Sequence, residues 1–511
     1  MTIDGGKIQN SIFGGGHGHV DRQHPERSIV AEIEGNTNIL IKGGEFDWIP
    51  ESSRYDSIRY YGIYGSGLTA SIVHGNTFIE ARRSLFSQEF LEKAGLAEWD
   101  YGKPWDKRFT ICGGGFGEMT DVMGNTNVLI NVEDVEDFDP AIFTNDDKSH
   151  KTAAKPYQNF MDIFGGGLMG NVEGSTHVTI KGKPFIRNVY GGSLIGNIGL
   201  NDMTLNGDLY SPKDDTRNYT TNTTVDFISG SAYNVFGGGL MGNICGETFV
   251  NIGTKDSLTN KNIHIHTIYG GNDVTGTIAG SNNSKYGTNI NILGGTIHGD
   301  VYGSGNGQYG QYDQPSSEYE PTSLQNASTG REHPHVASAS INISGIDKSS
   351  RTTILGSVFV GGNNTTVGQF IRDTNDRPQY GQLRELLISN SGRARLNIGN
   401  HVSIGNLTMG SNGAHLTDYI PSYTTDGTTW IKGYESQEDF EHFCRIVDMS
   451  CVPVLTFNSN CSFDNKHVIN DLYGNQKIFN TEGEMDSEDV IIGNFIGGIL
   501  LSLLIYFSGQ L

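Results

Sequence analysis

Proline is scarce in this chain, cysteine scarcer, and positive charge is in deficit. The 511 residues hold 13 prolines and 5 cysteines, and 35 Lys and Arg face 57 Asp and Glu for a net charge of −22. Such a balance repels nucleic-acid backbones and anionic lipid heads, and no Lys/Arg-rich patch offsets it, so a nucleic-acid partner is excluded. No secretory leader is seen at the start, since Met1 runs straight into TIDGGKIQNSIFGGG without a basic opening or an apolar core. That opening matches Asn291–Gly303, NILGGTIHGDVYG, which lies inside a repeat. The chain is therefore expected to be an excerpt of something longer. A bare solenoid end exposes strand edges that natural arrays cap.

The five cysteines do not form a framework. Cys112 takes an aromatic position of the repeat and Cys245 a variable one. Cys444, Cys451 and Cys461 cluster and could hold one disulfide or a metal, although their spacing fits no zinc pattern. Catalytic signatures are absent as well. The glycine runs are not followed by Gly-Lys-Ser/Thr, a helix or a βαβ unit, which excludes a phosphate loop. Neither a nucleophile elbow nor a zincin helix appears.

What the chain has in excess is glycine, 70 residues, about twice the usual ~7% share. The glycines are clustered beside Ile, Val and Phe rather than placed every third residue, which excludes collagen. The organising stretch is Ile163–Gly182, IFGGGLMGNVEGSTHVTIKG. It recurs as VFGGGLMGNICGETFVNIG at Val235–Gly253, and degraded copies start at Ile12, Ile63, Ile111, Val189, Ile268, Val301 and Val358. A short strand-and-glycine unit repeated in this way marks a stacked array.

Alternation sets Thr176, Val178 and Ile180 on one face and Ser175, His177 and Thr179 on the other. The first face recurs at Thr37, Ile39 and Ile41, at Thr126, Val128 and Ile130, and at Thr288, Ile290 and Ile292. Stacked coils would place these positions ~4.8 Å apart in inward columns. Glycine is expected at the corners for positive φ and close backbone approach. Asn171 and Asn243, each beside a glycine, are expected to form side-chain ladders, and the Phe or Tyr of each corner to stack on its neighbours. The fold class is all-β: a parallel β-helix, right-handed and three-sided, over residues 1–413. A β-propeller fits less well, because the unit lacks four strands.

Long segments interrupt the repeat at 45–61, 81–109, 131–161, 199–233, 306–338 and 368–395, and are expected to leave the coil as loops. Helical spacing marks Leu85–Ala97 and Gln437–Val447. Residues 414–480 read as an irregular module, 481–489 as an acidic linker and 490–511 as a hydrophobic tail. Within that tail Val490–Phe507 is uncharged and barely long enough to span a bilayer, which offers membrane attachment. A closing strand pair is the other reading.

Histidine pairs at His17/His19, with His24 nearby, and at His264/His266 have the spacing of two ligands on one strand face, but no third or fourth ligand is identifiable. Surface histidines are the plainer reading. Gly16-His17-Gly18 echoes a polygalacturonase tripeptide, yet only Asp4 precedes it, and Asp146-Asp147 and Asp214-Asp215 come later. No catalytic, cofactor-binding or metal-ligating set can be named.

The repeat [IV]-[FY]-G-G-G-x-x-G-x-[VI]-x-G-x-T-x-[VI]-x-[VI] resembles the glycine-rich repeats of large adhesin-like surface proteins of gut bacteria. The resemblance implies an extracellular, cell-attached stalk, non-catalytic, whose loops meet glycans or host surface proteins. A polysaccharide lyase or glycosidase on a β-helix scaffold is the alternative, and a phage tailspike-like fibre a further one.

Overall fold

The computed structural model describes residues 1–46, 62–85, 109–135, 137–143, 161–199, 221–274, 276–278, 280, 287–307, 334–336, 338–363, 365–367 and 393–408. Beyond these it describes the segments 423–424, 430–431, 452–457, 462–463, 467–470, 476–479, 490–496 and 506–507. Almost every described segment is a strand, and the strands stack in parallel into a twelve-stranded first sheet and a thirteen-stranded second sheet. This is the all-β arrangement of a parallel β-solenoid. A third, narrower ladder runs beside them as short strands and single bridges, joining Val122, Val172, Ile198, Ile244 and Ile278 in turn. Along the chain the first sheet, the second sheet and the narrow ladder are visited in rotation, as in Thr126–Val132, Met161–Phe164, Val172 and then Thr176–Gly182.

The register follows the repeat. Thr37, Thr77, Thr126, Thr176, Thr223, Thr248 and Thr288 are successive partners in the first sheet. Two positions on, Ile39, Ile79, Val128, Val178, Val225, Val250, Ile290 and Ile341 form one column, and all are buried. The expected sharing of a column by Val178 and Val250 is thus observed, with Val225 between them. Facing it, Ile63, Ile111, Ile163, Val189, Val235, Ile268, Val301 and Val358 of the second sheet complete a single hydrophobic core. Each such side chain contributes about 1.5–3 kcal/mol on burial.

The buried threonines add a link that alternation alone does not disclose. Thr126 donates its hydroxyl to the Gly165 carbonyl at 2.6 Å, Thr223 to Gly237 at 2.6 Å, Thr248 to Gly270 at 2.6 Å and Thr288 to Gly303 at 2.6 Å. Each bond ties a first-sheet strand to the glycine corner reached one coil later. A net hydrogen bond of this kind is worth about 1 kcal/mol, and an orphaned buried carbonyl would cost more.

The corner aromatics stack as expected. Phe164, Tyr190, Phe236, Tyr269, Tyr302 and Phe359 follow one another at 4.5–5.0 Å with rings within 10° of parallel. With Leu168, Leu240 and Val274 they form a second apolar cluster distinct from the central core. Cys112 occupies the ring position between Tyr64 and Phe164, and Phe116 tilts onto Tyr64 at 5.7 Å beside the gap. The amide ladders are present too: Asn197 N–H donates to Asn171 Oδ1 at 2.9 Å and Asn243 N–H to Asn197 Oδ1 at 3.1 Å.

One expectation needs correction. Among the corner glycines only close approach operates at Gly165, Gly166 and Gly167, none of which has a positive φ. A side chain at Gly165 would overlap the Gly191 carbonyl, and one at Gly166 would overlap Ser193 Oγ. Left-handed backbone is used instead where the chain leaves the first sheet, at Gly182 and Gly253, both with φ of 87°.

The sheets also extend past position 413. Val452–Phe457 pairs in parallel with Arg393–Ile398, and Val490–Ile496 with Val402–Thr408. The opening of the apolar tail is therefore a strand of the second sheet, and among the described residues no helix is long and apolar enough to cross a membrane. Apart from Leu85, both helix candidates lie outside the described residues, as do Cys444, Cys451 and Cys461.

Two outcomes follow from this packing. Gly166→Val forces a side chain into Ser193 and Ile198 and is expected to lower stability by about 1–3 kcal/mol, read in a thermal melt; an unchanged melting temperature would remove the close-approach account. Burial, helped by the charge of Asp162, pushes the Cys112 thiol well up. Cys112 should therefore resist a disulfide-exchange reagent in the native chain and react once denatured, and native labelling at Cys112 would contradict its placement.

Candidate functional site

The outer face of the second sheet carries the richest chemistry among the described residues. In Ile263–Tyr269 the alternation turns Ile263 and Ile265 inward, so His264 and His266 face out. Register then sets their neighbours. Ser231 pairs with His264 and Ala232 with Ile265, which puts Tyr233 opposite His266; Ile265 pairs with Ile297, which puts His298 on the other side of His266. Arg187, one strand earlier, stands opposite Tyr233. Arg187, Tyr233, His266 and His298 thus form one outward column, with Phe185 and His264 in the column beside it.

A strap from an interrupting segment lies over this face. Residues 137–143 follow the first-sheet strand Thr126–Val132 and end in the 3-10 turn Pro140–Phe143. The Phe138 ring sits 4.8 Å from Phe185 and 5.6 Å from His264, and the Phe143 ring 5.7 Å from Tyr233, 5.5 Å from His266 and 4.9 Å from His298. The strap's own coil continues into Met161–Phe164, so reaching His298 carries it four strands along the stack, roughly 19 Å at the sheet spacing. Lys183 holds its base through Asp137 at 2.7 Å, and that contact raises the lysine's pKa.

Within the cluster His264 Nδ1 lies 3.1 Å from His298 Nε2, a separation at which one ring's N–H donates to the other's bare nitrogen. The His266 ring stacks on Tyr233 at 4.6 Å and 11°, with its Nδ1 2.7 Å from Thr267 Oγ1. Burial, reinforced by the neighbouring His264 and His266, lowers the His298 pKa to about 4, and burial lowers that of His264 as well. Nδ1 of His298 is buried and has no hydrogen-bond partner among the described residues. Burial thus disfavours the charged forms of His264 and His298, which lie against the Phe138 and Phe143 rings.

The other histidines behave differently. His17 and His19 are exposed and bridge separate strands, at Leu68 and Ile29. His177 pairs with Asp226 at 2.7 Å, and Asp226 also accepts from Asn251 at 2.8 Å, so this pair anchors an amide ladder through Asn291 and Asn342. Glu32, Glu34 and His74 bring one ligand atom each within 4.8 Å of the others, but all three are exposed and His74 already meets Glu32 at 3.2 Å. Carboxylates on neighbouring coils occur at Asp273 and Asp300, where they accept from the tyrosine hydroxyls of Tyr190 and Tyr302, each at 2.9 Å. They serve the aromatic stack.

The sequence marked His264 and His266 but not His298, which belongs to a degraded copy of the repeat. Aligning HIHTIYG with TIHGDVYG would have placed His298 beside His266. Phe138 and Phe143 had no periodic signal at all.

The depressed pKa of His298 has a readable sign. Below the ordinary histidine value of ~6.5 the undocked state takes up a proton that the docked state refuses, so docking is fully favoured above ~6.5 and weakens as pH falls toward about 4. Proteolytic cleavage within 133–143 should accelerate across that window, and His298→Gln should flatten the dependence; cleavage that does not change with pH would contradict it. Comparison of the chain with protein-family models, with curated proteins and with solved structures found no match.

Proposed function

We propose that this chain is a non-catalytic surface protein, located at the cell surface or secreted, in which a right-handed, three-sided coil acts as a stiff rod presenting its inserts to glycans or host surface proteins. One observation carries the reading. On three successive coils the connection from the first sheet to the second is long, spanning residues 47–61, 82–108 and 133–160. The coil itself does not need that length, because Thr176–Gly182 reaches Phe185–Tyr190 through Lys183 and Pro184 alone. Three insertions at one corner of neighbouring coils emerge side by side, which suits a composite contact surface better than three independent loops. The repeat's resemblance to adhesin-like surface proteins supports the same reading. Several carboxylates are also engaged by other coils, Asp226 by His177 and Asn251, Asp162 by Asn188 and Asp273 by Tyr190, which suits a structural role.

The test replaces the three connections by a Lys-Pro link and compares glycan-array binding of the two chains, with circular dichroism as the check on the coil. The expected result is a coil that persists and a binding signal that is lost. Equal binding without the inserts, or release of oligosaccharides from a polysaccharide by the parent chain, would overturn the reading, the second in favour of a degrading enzyme.

A further inference from the structure

We propose that His264, His298 and His266 form a site for a divalent transition metal, zinc foremost, beneath the strap that carries Phe138 and Phe143. The ligands do not depend on the adhesive reading, because all three lie on the outer face of the second sheet; only the strap above them belongs to a corner insert, the third. The geometry of the pair comes first. His264 Nδ1 and His298 Nε2 lie 3.1 Å apart. An ion at the usual zinc–nitrogen distance of about 2.0–2.1 Å from both would subtend an angle of about 100°, between octahedral and tetrahedral values. The ring that now carries the bridging proton would move it to its other nitrogen, so both lone pairs face the ion without net loss of a proton.

The third ligand comes from the strand pattern. His264 and His266 share one face of a strand at two-residue spacing, and His298 sits on the adjacent coil directly beside His266. In the present arrangement His266 lies on Tyr233 and its nitrogens do not complete a three-ligand group with the other two. His266 would complete the set by leaving Tyr233 and Thr267 Oγ1. Imidazole suits zinc, copper and nickel better than calcium or magnesium, which want oxygen ligands. Two further features fit a metal. The site is lined by the Phe138 and Phe143 rings, which exclude water and strengthen the ion's hold. His264 and His298 are half-buried and their spacing is set by the register of adjacent strands, so two ligands are in place before an ion arrives.

Zn2+ is titrated into the full chain by calorimetry, and Co2+ is used in parallel for its ligand-sensitive visible absorption. One equivalent is expected to bind at this site, with affinity reduced at least about tenfold in His264→Ala and in His298→Ala. The double variant His17→Ala/His19→Ala, whose histidines bridge other strands, should bind as the parent does. A second measurement avoids the substitutions: in the parent chain Zn2+ should protect His264 and His298 from diethyl pyrocarbonate, read by mass spectrometry. No binding by the parent, folded His264→Ala and His298→Ala variants that bind as tightly as the parent, or unprotected His264 and His298 would each overturn the proposal.

Discussion

In-register stacking of β-branched side chains is the constraint from which everything else in this molecule descends. A strand such as Thr176–Gly182 is too short to be stable alone, and its inward Val178 and Ile180 find cover against Val128 and Ile130 on one side, Val225 and Phe227 on the other, and the second sheet across the coil. Parallel pairing of this kind forces a crossover after every strand. The crossover must be compact, and glycine makes it so. Corner glycines such as Gly165 and Gly166 stand so close to the next coil that any side chain would collide with its backbone or side chains, while the buried threonines bond to corner carbonyls. Aromatic rings then stack on the far side of the corner and Asn amides along the edges, each repeating at the coil spacing.

That same repetition leaves the outward positions free to differ. Inward residues are held to Thr, Val and Ile, but their outward neighbours range from the amide ladder of Asn251, Asn291 and Asn342 to the histidine and aromatic face at Tyr233, His264, His266 and His298. The scaffold therefore acts as a ruler. Any chemistry placed at one offset of the repeat meets the chemistry placed at the same offset one coil away, which is how three histidines from two distant stretches of sequence come together. The connections obey a similar logic, since three long ones share a corner and one of them sends residues 137–143 along the stack as a strap.

How much of this was legible depended on whether a feature repeats. The Thr-x-Val-x-Ile face, the core column through Val178 and Val250, the aromatic stack and the substitution of Cys112 into it all follow from periodicity, and the structure has them. The reason for the glycine corners was only half legible, because sequence cannot separate a residue needed for positive φ from one needed for lack of a side chain. The threonine bonds were missed, since alternation marks Thr176 as inward without saying what its hydroxyl meets. The strap was invisible for the opposite reason: Phe138 and Phe143 obey no period, and their partners lie as many as four strands away. Hydropathy alone offered both a membrane segment and a closing strand for Val490–Phe507, and the pairing of Val490–Ile496 with Val402–Thr408 rests on a register no local pattern carries.

Spin-label distances along the outward column of the first sheet test the stacking most directly. Asn38, Thr224, Asn289 and Arg395 occupy the same register position on strands that are successively four, two and two steps apart. With the native cysteines replaced by alanine and labels paired from position 38, the distances should rise in proportion to strand number, to roughly 19, 29 and 38 Å at ~4.8 Å per step. Distances that fail to grow with strand number, or that fall together near one value, would contradict the stacked coil.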